Sequence, residues 1–247
     1  MICAASLLSA WELCLAQSNV RRALTLLTLL LPEAPWSDLA ALTLGERDSH
    51  LLRLREQLFG SRLCGSAVCP KCRERLELEF TVQDVGKGTG GEVADHVRAK
   101  LDGLAVIYRL PSSADLLAVE AQTNPTEARR QLVQRCIVSV RCEAPGDEVS
   151  DVAATPLPES LITLIAEHMQ QADPQADVEL ALTCPACQHG WAMPFDIAAY
   201  LWNEVNDWAL RALREVHVLA SAYGWREADI LAMTARRRGL YLQMLGA

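Results

Sequence analysis

Two copies of one four-residue pattern, Cys69-Pro70-Lys71-Cys72 and Cys184-Pro185-Ala186-Cys187, constrain this chain more than any other feature of it. Thiolates two residues apart can wrap one edge of a metal tetrahedron, because the tight turn between them points both sulfurs the same way. Two such turns complete a closed four-sulfur site, the arrangement of structural zinc; catalytic zinc keeps one position open for water. A single Cys-x-x-Cys would say little, since dithiol redox pairs share it. Here each copy carries proline after its first cysteine and adjoins period-two sequence. Leu76, Leu78, Phe80 and Val82 alternate with Glu77, Glu79, Thr81 and Gln83 after the first, while Val178, Leu180 and Leu182 lead into the second and Trp191, Met193 and Phe195 leave it. Alternation of this kind marks half-buried strands, so each half reads as the knuckle of a zinc ribbon.

Residues 73 to 183 separate the halves, against about 15–20 residues in compact zinc modules. Separation along the chain need not be separation in space. Pairing of the strand Leu76–Val82 with Val178–Thr183 would return the intervening segment to the point where it left. Loop closure grows only logarithmically with length, so the long loop costs about 1.5–2 kcal/mol more than a short one, whereas structural zinc contributes roughly 10–16 kcal/mol. The expected ligands are Cys69, Cys72, Cys184 and Cys187. Four thiolates around a dication leave net negative charge, so Lys71, Arg73 and His189 are expected to support the sulfurs as donors or cations. His189 could replace a cysteine as ligand, and Cys64 is a weaker spare, but each knuckle completes its pair without them. The competing reading is independent buried or redox cysteines. Cys3, Cys14, Cys136 and Cys142 fall in apolar or helical contexts and are read as small buried hydrophobes.

Composition narrows the function classes. Of 247 residues, 51% are hydrophobic and 22% charged, which suits a globule with a core rather than a disordered chain. A net charge of -8 repels phosphate backbones, so nucleic acid is not an expected partner. The one basic run, Arg236-Arg237-Arg238, reads as a solvated helix face or a neutralised helix C-terminus. Ala23–Leu31 is too short to span a membrane, and Met1–Leu31 has Glu12 and Arg21/Arg22 inside its apolar stretch, unlike a signal peptide. The chain is read as cytosolic, where odd-numbered cysteines, nine here, point to metal or redox chemistry rather than to a disulfide framework.

The expected fold class is α+β: mostly helical, with a small antiparallel zinc-ribbon sheet and a long insert between its knuckles. Residues 1–62 are expected to form a helical region, 63–85 with 177–195 the ribbon, 86–176 an α/β insert and 196–247 a second helical region. Leu7, Leu8, Trp11 and Leu15, then Leu24, Leu27, Leu30 and Leu31, predict two helices ended by Pro32 and Pro35. Thr43 and Glu46 form a capping box for a helix running to Phe59, with Gly60 as its stop. Gly86–Gly91 reads as a linker, 104–110 as a strand, and a helix starts near Ser113. Asn124 before Pro125 caps a helix expected over Thr126–Val140, and Pro156–Gln171 is another. A long final helix follows Asp196, with Leu201, Val205, Trp208, Ala212, Val216 and Leu219 inward, then short helices over 226–233 and 235–245. No HExxH, P-loop, GxGxxG or GxSxG pattern is present, and Asp48 and His50 fall on different sides of a helix. Nothing points to catalysis.

Several segments together carry a family resemblance. They are Leu44-Gly45-Glu46-Arg47-Asp48 through Leu58-Phe59-Gly60 entering the first knuckle, Tyr108-Arg109-Leu110-Pro111 with Asp115, the second knuckle, and Tyr223-Gly224-Trp225-Arg226-Glu227-Ala228-Asp229-Ile230-Leu231 with Arg236–Arg238 and Tyr241-Leu242. With these the chain resembles the baseplate-protein family of T-even-like contractile phage tails and related extracellular contractile injection systems. The resemblance implies a hub-level assembly factor or minor structural component, partnered by baseplate, hub or spike proteins of a contractile tail-like particle, and it implies no reaction. Zinc rests on spacing and not on kinship. Among the C-terminal aromatics, most are expected in the core, with Trp225 and Tyr241 as partner contacts. The alternatives are a zinc-ribbon nucleic-acid binder using Lys71, Arg73 and Arg75, a general protein-interaction adaptor, or a thiol redox enzyme.

Overall fold

The computed structural model describes residues 2–86, 96–101, 104–142 and 157–246. The chain is α+β, mostly helical with small antiparallel sheets. It divides into two compact units, one made of Met1–Ala34 with Ile197–Ala247 and the other of Pro35–Asp196. Most of the expected Gly86–Gly91 linker lies outside the described residues.

The first unit is all helix: α1 (Ala4–Cys14), α2 (Asn19–Leu30), α9 (Ile197–Tyr223), α10 (Glu227–Ala232) and α11 (Ala235–Met244). α9 buries Ile197, Leu201, Val205, Ala209, Ala212, Val216 and Leu219 along one stripe, the three-and-four spacing of a core-facing helix. Ala209 takes the inward place expected of Trp208, which is half-buried. α1 and α2 lie against α9 and bury Leu7, Leu8, Cys14, Leu24 and Leu27. Trp11 Nε1 donates to Asn206 Oδ1 at 3.1 Å, and the Arg22 guanidinium lies 4.4 Å over the Trp202 ring. The arginine run meets the solvated-face reading at Arg236 and Arg237, which are exposed, and departs from it at Arg238. The run occupies the first turn of α11, not a helix C-terminus, and Arg238 is only 4% exposed, held by Glu215 Oε2 at 2.7 Å and the Met233 carbonyl at 2.8 Å.

The second unit holds α3 (Trp36–Ala41), α4 (Leu44–Phe59), the hairpin β1 (Arg62–Val68) and β2 (Arg75–Thr81), α5 (Val82–Val85), the sheet β3 (Val97–Leu101), β4 (Leu104–Tyr108) and β5 (Ile137–Cys142), with α6 (Ser113–Val119), α7 (Pro125–Cys136) and α8 (Glu159–Ala172), and the hairpin β6 (Val178–Thr183) and β7 (Gly190–Phe195). β4 is central in its antiparallel sheet, pairing with β3 and β5. Val106, Tyr108, Leu110, Val133, Val140, Leu161, Ile162 and Ile165 close a core between that sheet and α7 and α8. The helix expected over Thr126–Val140 ends at Cys136. The β-branched residues Ile137, Val138 and Val140 favour the pleated surface, and an open edge of β4 lies within reach. Asn124 caps α7 as expected, accepting from the Thr126 and Glu127 amides.

Two of the segments that carry the resemblance meet in this unit. The Leu44 N–H donates to the Pro111 carbonyl at 3.0 Å, and Thr43 bridges to Ser112. The capping box forms: Thr43 Oγ1 accepts from the Glu46 N–H and Glu46 accepts from the Thr43 N–H. Asp173, just past α8, accepts the Gly45 N–H at 2.9 Å, and a Cβ at position 45 would fall 1.7 Å from Asp173 Oδ1. Glycine is therefore demanded there by close approach. Gly60 ends α4 at φ +86°, where its missing Cβ removes the penalty. Asp115, 1% exposed, gathers Arg109, Arg135 and both the N–H and hydroxyl of Ser112. Burial opposes its charge, but the Arg109 fork and the Ser112 donors outweigh it and hold the carboxyl down at about 2.

Candidate metal centre

Each knuckle is the tip of its own hairpin. β1 pairs with β2 in register from Arg62↔Thr81 to Val68↔Arg75, and β6 pairs with β7 from Val178↔Phe195 to Thr183↔Gly190. The expected pairing of 76–82 with 178–183 does not occur; the two hairpins are separate sheets. β1 was not evident in the sequence because Cys64, Gly65 and Ser66 interrupt its alternation and leave three successive exposed positions.

The two turns repeat one another bond for bond. In the first, the Cys69 N–H donates to the Glu74 carbonyl at 2.8 Å and the Arg73 N–H to the Cys69 carbonyl at 3.0 Å. In the second, the Cys184 N–H donates to the His189 carbonyl at 2.9 Å and the Gln188 N–H to the Cys184 carbonyl at 2.9 Å. The residue after each second cysteine is left-handed, Arg73 at φ 66° and Gln188 at φ 56°. Non-glycine residues enter that region at a cost of roughly 1–2 kcal/mol, so the same strain at the same place in both turns marks a conformation imposed by what the turns present. Gln188 was not singled out from sequence; its position directly after a Cys-Pro-x-Cys was the available signal.

What they present is four sulfurs. Cys69, Cys72, Cys184 and Cys187 place their Sγ atoms all within 4.8 Å of one another. Two of the approaches run between hairpins, Cys72 to Cys184 at 3.5 Å and Cys69 to Cys187 at 3.7 Å. These are far beyond the roughly 2.05 Å of a disulfide. They match the edge of a tetrahedron with metal–sulfur bonds of about 2.3 Å, which is about 3.8 Å. Cys69 and Cys184 are buried, Cys187 half-buried and Cys72 exposed. Leu76 is buried beside the two buried cysteines, with Leu78 and Trp191 packed on them. At the far end of the hairpins Phe80 meets Phe195 edge to face at 5.5 Å.

Two of the four thiols, Cys69 and Cys72, are shifted in opposite directions. Burial works against a thiolate at Cys69, but the Cys72 and Lys71 amides pointing at its sulfur prevail and bring it down to about 7. At Cys72 the Glu74 amide favours the thiolate, yet the neighbouring Cys187, Cys184 and Cys69 sulfurs, with burial, push it up to about 12. One sulfur gains its negative charge at the expense of another, as coupled sites do. A soft divalent cation at the centre removes that conflict, and the donor set suits zinc.

The supporting residues take places somewhat different from those expected of their side chains. Lys71 is exposed and contributes its backbone amide, Arg73 contributes the strained turn, and His189 contributes its carbonyl while its ring lies parallel to Trp191 at 6.2 Å. Among the described residues the cluster contains neither His189 nor Cys64, which is exposed on β1. Cys14 and Cys136 are buried thiols, their pKa values pushed up by burial to about 11 and about 12. Cys3, expected to be buried, is instead exposed, because its sulfur caps α1 by accepting the Ser6 N–H, and the side chain of Cys142 lies outside the described residues. Trp225 and Tyr241 stand in the helical unit with ring centroids 4.8 Å apart. Among the described residues no helix is long and apolar enough to cross a membrane.

Comparison with known proteins follows the same residues. No curated protein and no solved structure matches the chain. The family model described as T4 bacteriophage base plate protein matches residues 25–199, a span that takes in both knuckles, the Gly45–Asp173 contact and the Arg109–Asp115 cluster. The chain belongs to the T4 bacteriophage base plate protein family.

Proposed function

We propose that this chain is a non-enzymatic structural or assembly protein of a contractile, phage-tail-like baseplate, and that Cys69, Cys72, Cys184 and Cys187 hold one zinc ion that clamps its two hairpins together. One observation carries the reading: sulfurs 112 and 118 positions apart in sequence converge from two hairpins that share no sheet. A closed set of four thiolates leaves no coordination position for water or substrate, so the ion would fix a surface and perform no reaction. Lys71, Arg73 and His189 would steady the sulfurs, chiefly through backbone amides and carbonyls.

On this reading residues 63–85 and 177–195 act as one zinc ribbon from which 86–176 project as an insert, flanked by the helical regions 1–62 and 196–247. Its partners are baseplate, hub or spike proteins. The protein works in the cytoplasm, where reducing conditions keep four adjacent thiols available to metal. Co-expression with the baseplate, hub and spike proteins of its own tail system tests the role. Co-purification of at least one of them with the wild-type chain, and its loss with Cys184→Ser, is expected; recovery of none would overturn the assignment.

A further inference from the structure

The four sulfurs of the metal centre are not equivalent. Cys69 and Cys184 are buried and Cys187 is half-buried, while Cys72 is exposed. The first three belong to the apolar cluster of Leu76, Leu78 and Trp191, and Cys72 does not. A bound metal holds all of its cysteine ligands as thiolates, the nucleophilic form of the side chain. What then separates them towards a dissolved electrophile is access, since the oxidation of thiolates follows their exposure.

Cys72 also has a partner in place. Its Sγ lies 3.5 Å from that of Cys184, which sits in the other hairpin. Cys69, the alternative within its own turn, is held elsewhere: its sulfur accepts from the Cys72 and Lys71 amides, and it lies 3.7 Å from Cys187 across the hairpins. Bonding Cys69 to Cys72 would give up those amide contacts.

Resting on the zinc reading above, we propose that Cys72 is the sulfur through which a hydroperoxide opens the metal centre, and that the product is a disulfide between Cys72 and Cys184. The Cys72 thiolate attacks hydrogen peroxide; a sulfur–oxygen bond forms, the oxygen–oxygen bond breaks and hydroxide leaves, giving a sulfenic acid. The Cys184 thiolate then attacks the Cys72 sulfur, forming the disulfide and expelling the second hydroxide. Two thiolates have lost two electrons, and one peroxide has become two hydroxide ions. Cys69 and Cys187, the thiolates that remain, no longer close a tetrahedral site, and retention of zinc is lost. Because the new bond runs between the hairpins, their joint passes from a metal clamp to a covalent one instead of opening. A dithiol reductant with added zinc reverses the change.

Peroxide treatment of the full chain, purified with a thiol reductant that is then removed, tests this. Zinc release is followed with a chromogenic chelator, and disulfides by peptide mapping without reduction. The wild type is expected to release its zinc and to yield a cross-link between Cys72 and Cys184. Histidine is an accepted fourth ligand of a structural zinc site. Cys72→His is therefore expected to keep its zinc and to release it about tenfold more slowly, whereas Cys187→His should release it at the wild-type rate. Release as fast from Cys72→His as from the wild type, or cross-links confined to Cys69 with Cys72 and Cys184 with Cys187, would overturn the proposal. If Cys72→His holds no zinc, the wild-type cross-link map decides alone. A wild type without zinc before peroxide is added would overturn the zinc reading itself, and this proposal with it.

Discussion

Replacing Gly45 by alanine should destabilise this protein although alanine is the better helix former. The new Cβ would lie 1.7 Å from Asp173 Oδ1, so the carboxylate must move and release the Gly45 N–H that it accepts at 2.9 Å. A hydrogen bond to a charged group contributes about 1.5–3 kcal/mol, and the displaced carboxylate is buried. The helix-propensity gain of alanine is at most about 1 kcal/mol. The net loss is therefore about 0.5–3 kcal/mol, or a fall in Tm of about 1–12 °C for a chain of this size. Urea unfolding followed by circular dichroism reads it. Because the clash is with a single side chain, Asp173→Ala removes it, and in that background Gly45→Ala should be neutral or stabilising. An equal cost in both backgrounds would refute the close-approach argument.

Asp115 gives the chain an acid-sensitive component. Its folded pKa of about 2 lies below the ordinary 3.8, so the stability it confers is present above pH 3.8 and is lost as pH falls towards 2. The span corresponds to about 2 kcal/mol, and Asp115→Asn should flatten that limb of a stability-against-pH curve. Arg238→Ala should cost about 2 kcal/mol in urea unfolding, since it strips the pairing from Glu215 and leaves a hole in the helical unit; Arg236→Ala, on the exposed side, should cost almost nothing. Gln188→Val, a β-branched residue in a left-handed turn, should weaken metal retention against a competing chelator, whereas Gln188→Gly should not.

The features legible in sequence were those set by neighbours along the chain. The Thr43/Glu46 box, the Asn124-Pro125 start and the Gly60 stop are closed by bonds within a few residues, so local pattern suffices for them. The knuckles are legible for the same reason. What failed depended on distant partners. Ile137–Val140 continues the α7 pattern acceptably, and only the vacant edge of β4 draws it into a strand. The ribbon strands carry the right period, but period two does not say whether β2 pairs with β6 or with a poorly patterned β1. Arg238 reads as a surface residue until Glu215, 23 positions away, is seen beside it. Within the site, spacing named the four cysteines, yet it was silent on which sulfurs face each other across the hairpins.

Metal content measures the central claim most directly. Protein purified without added metal or strong chelator, analysed by inductively coupled plasma mass spectrometry, should contain one zinc per chain, released by a mercurial that titrates thiols and absent from Cys72→Ser/Cys184→Ser. Metal-free protein with oxidised Cys69, Cys72, Cys184 and Cys187, or zinc that persists in that variant, would contradict the account.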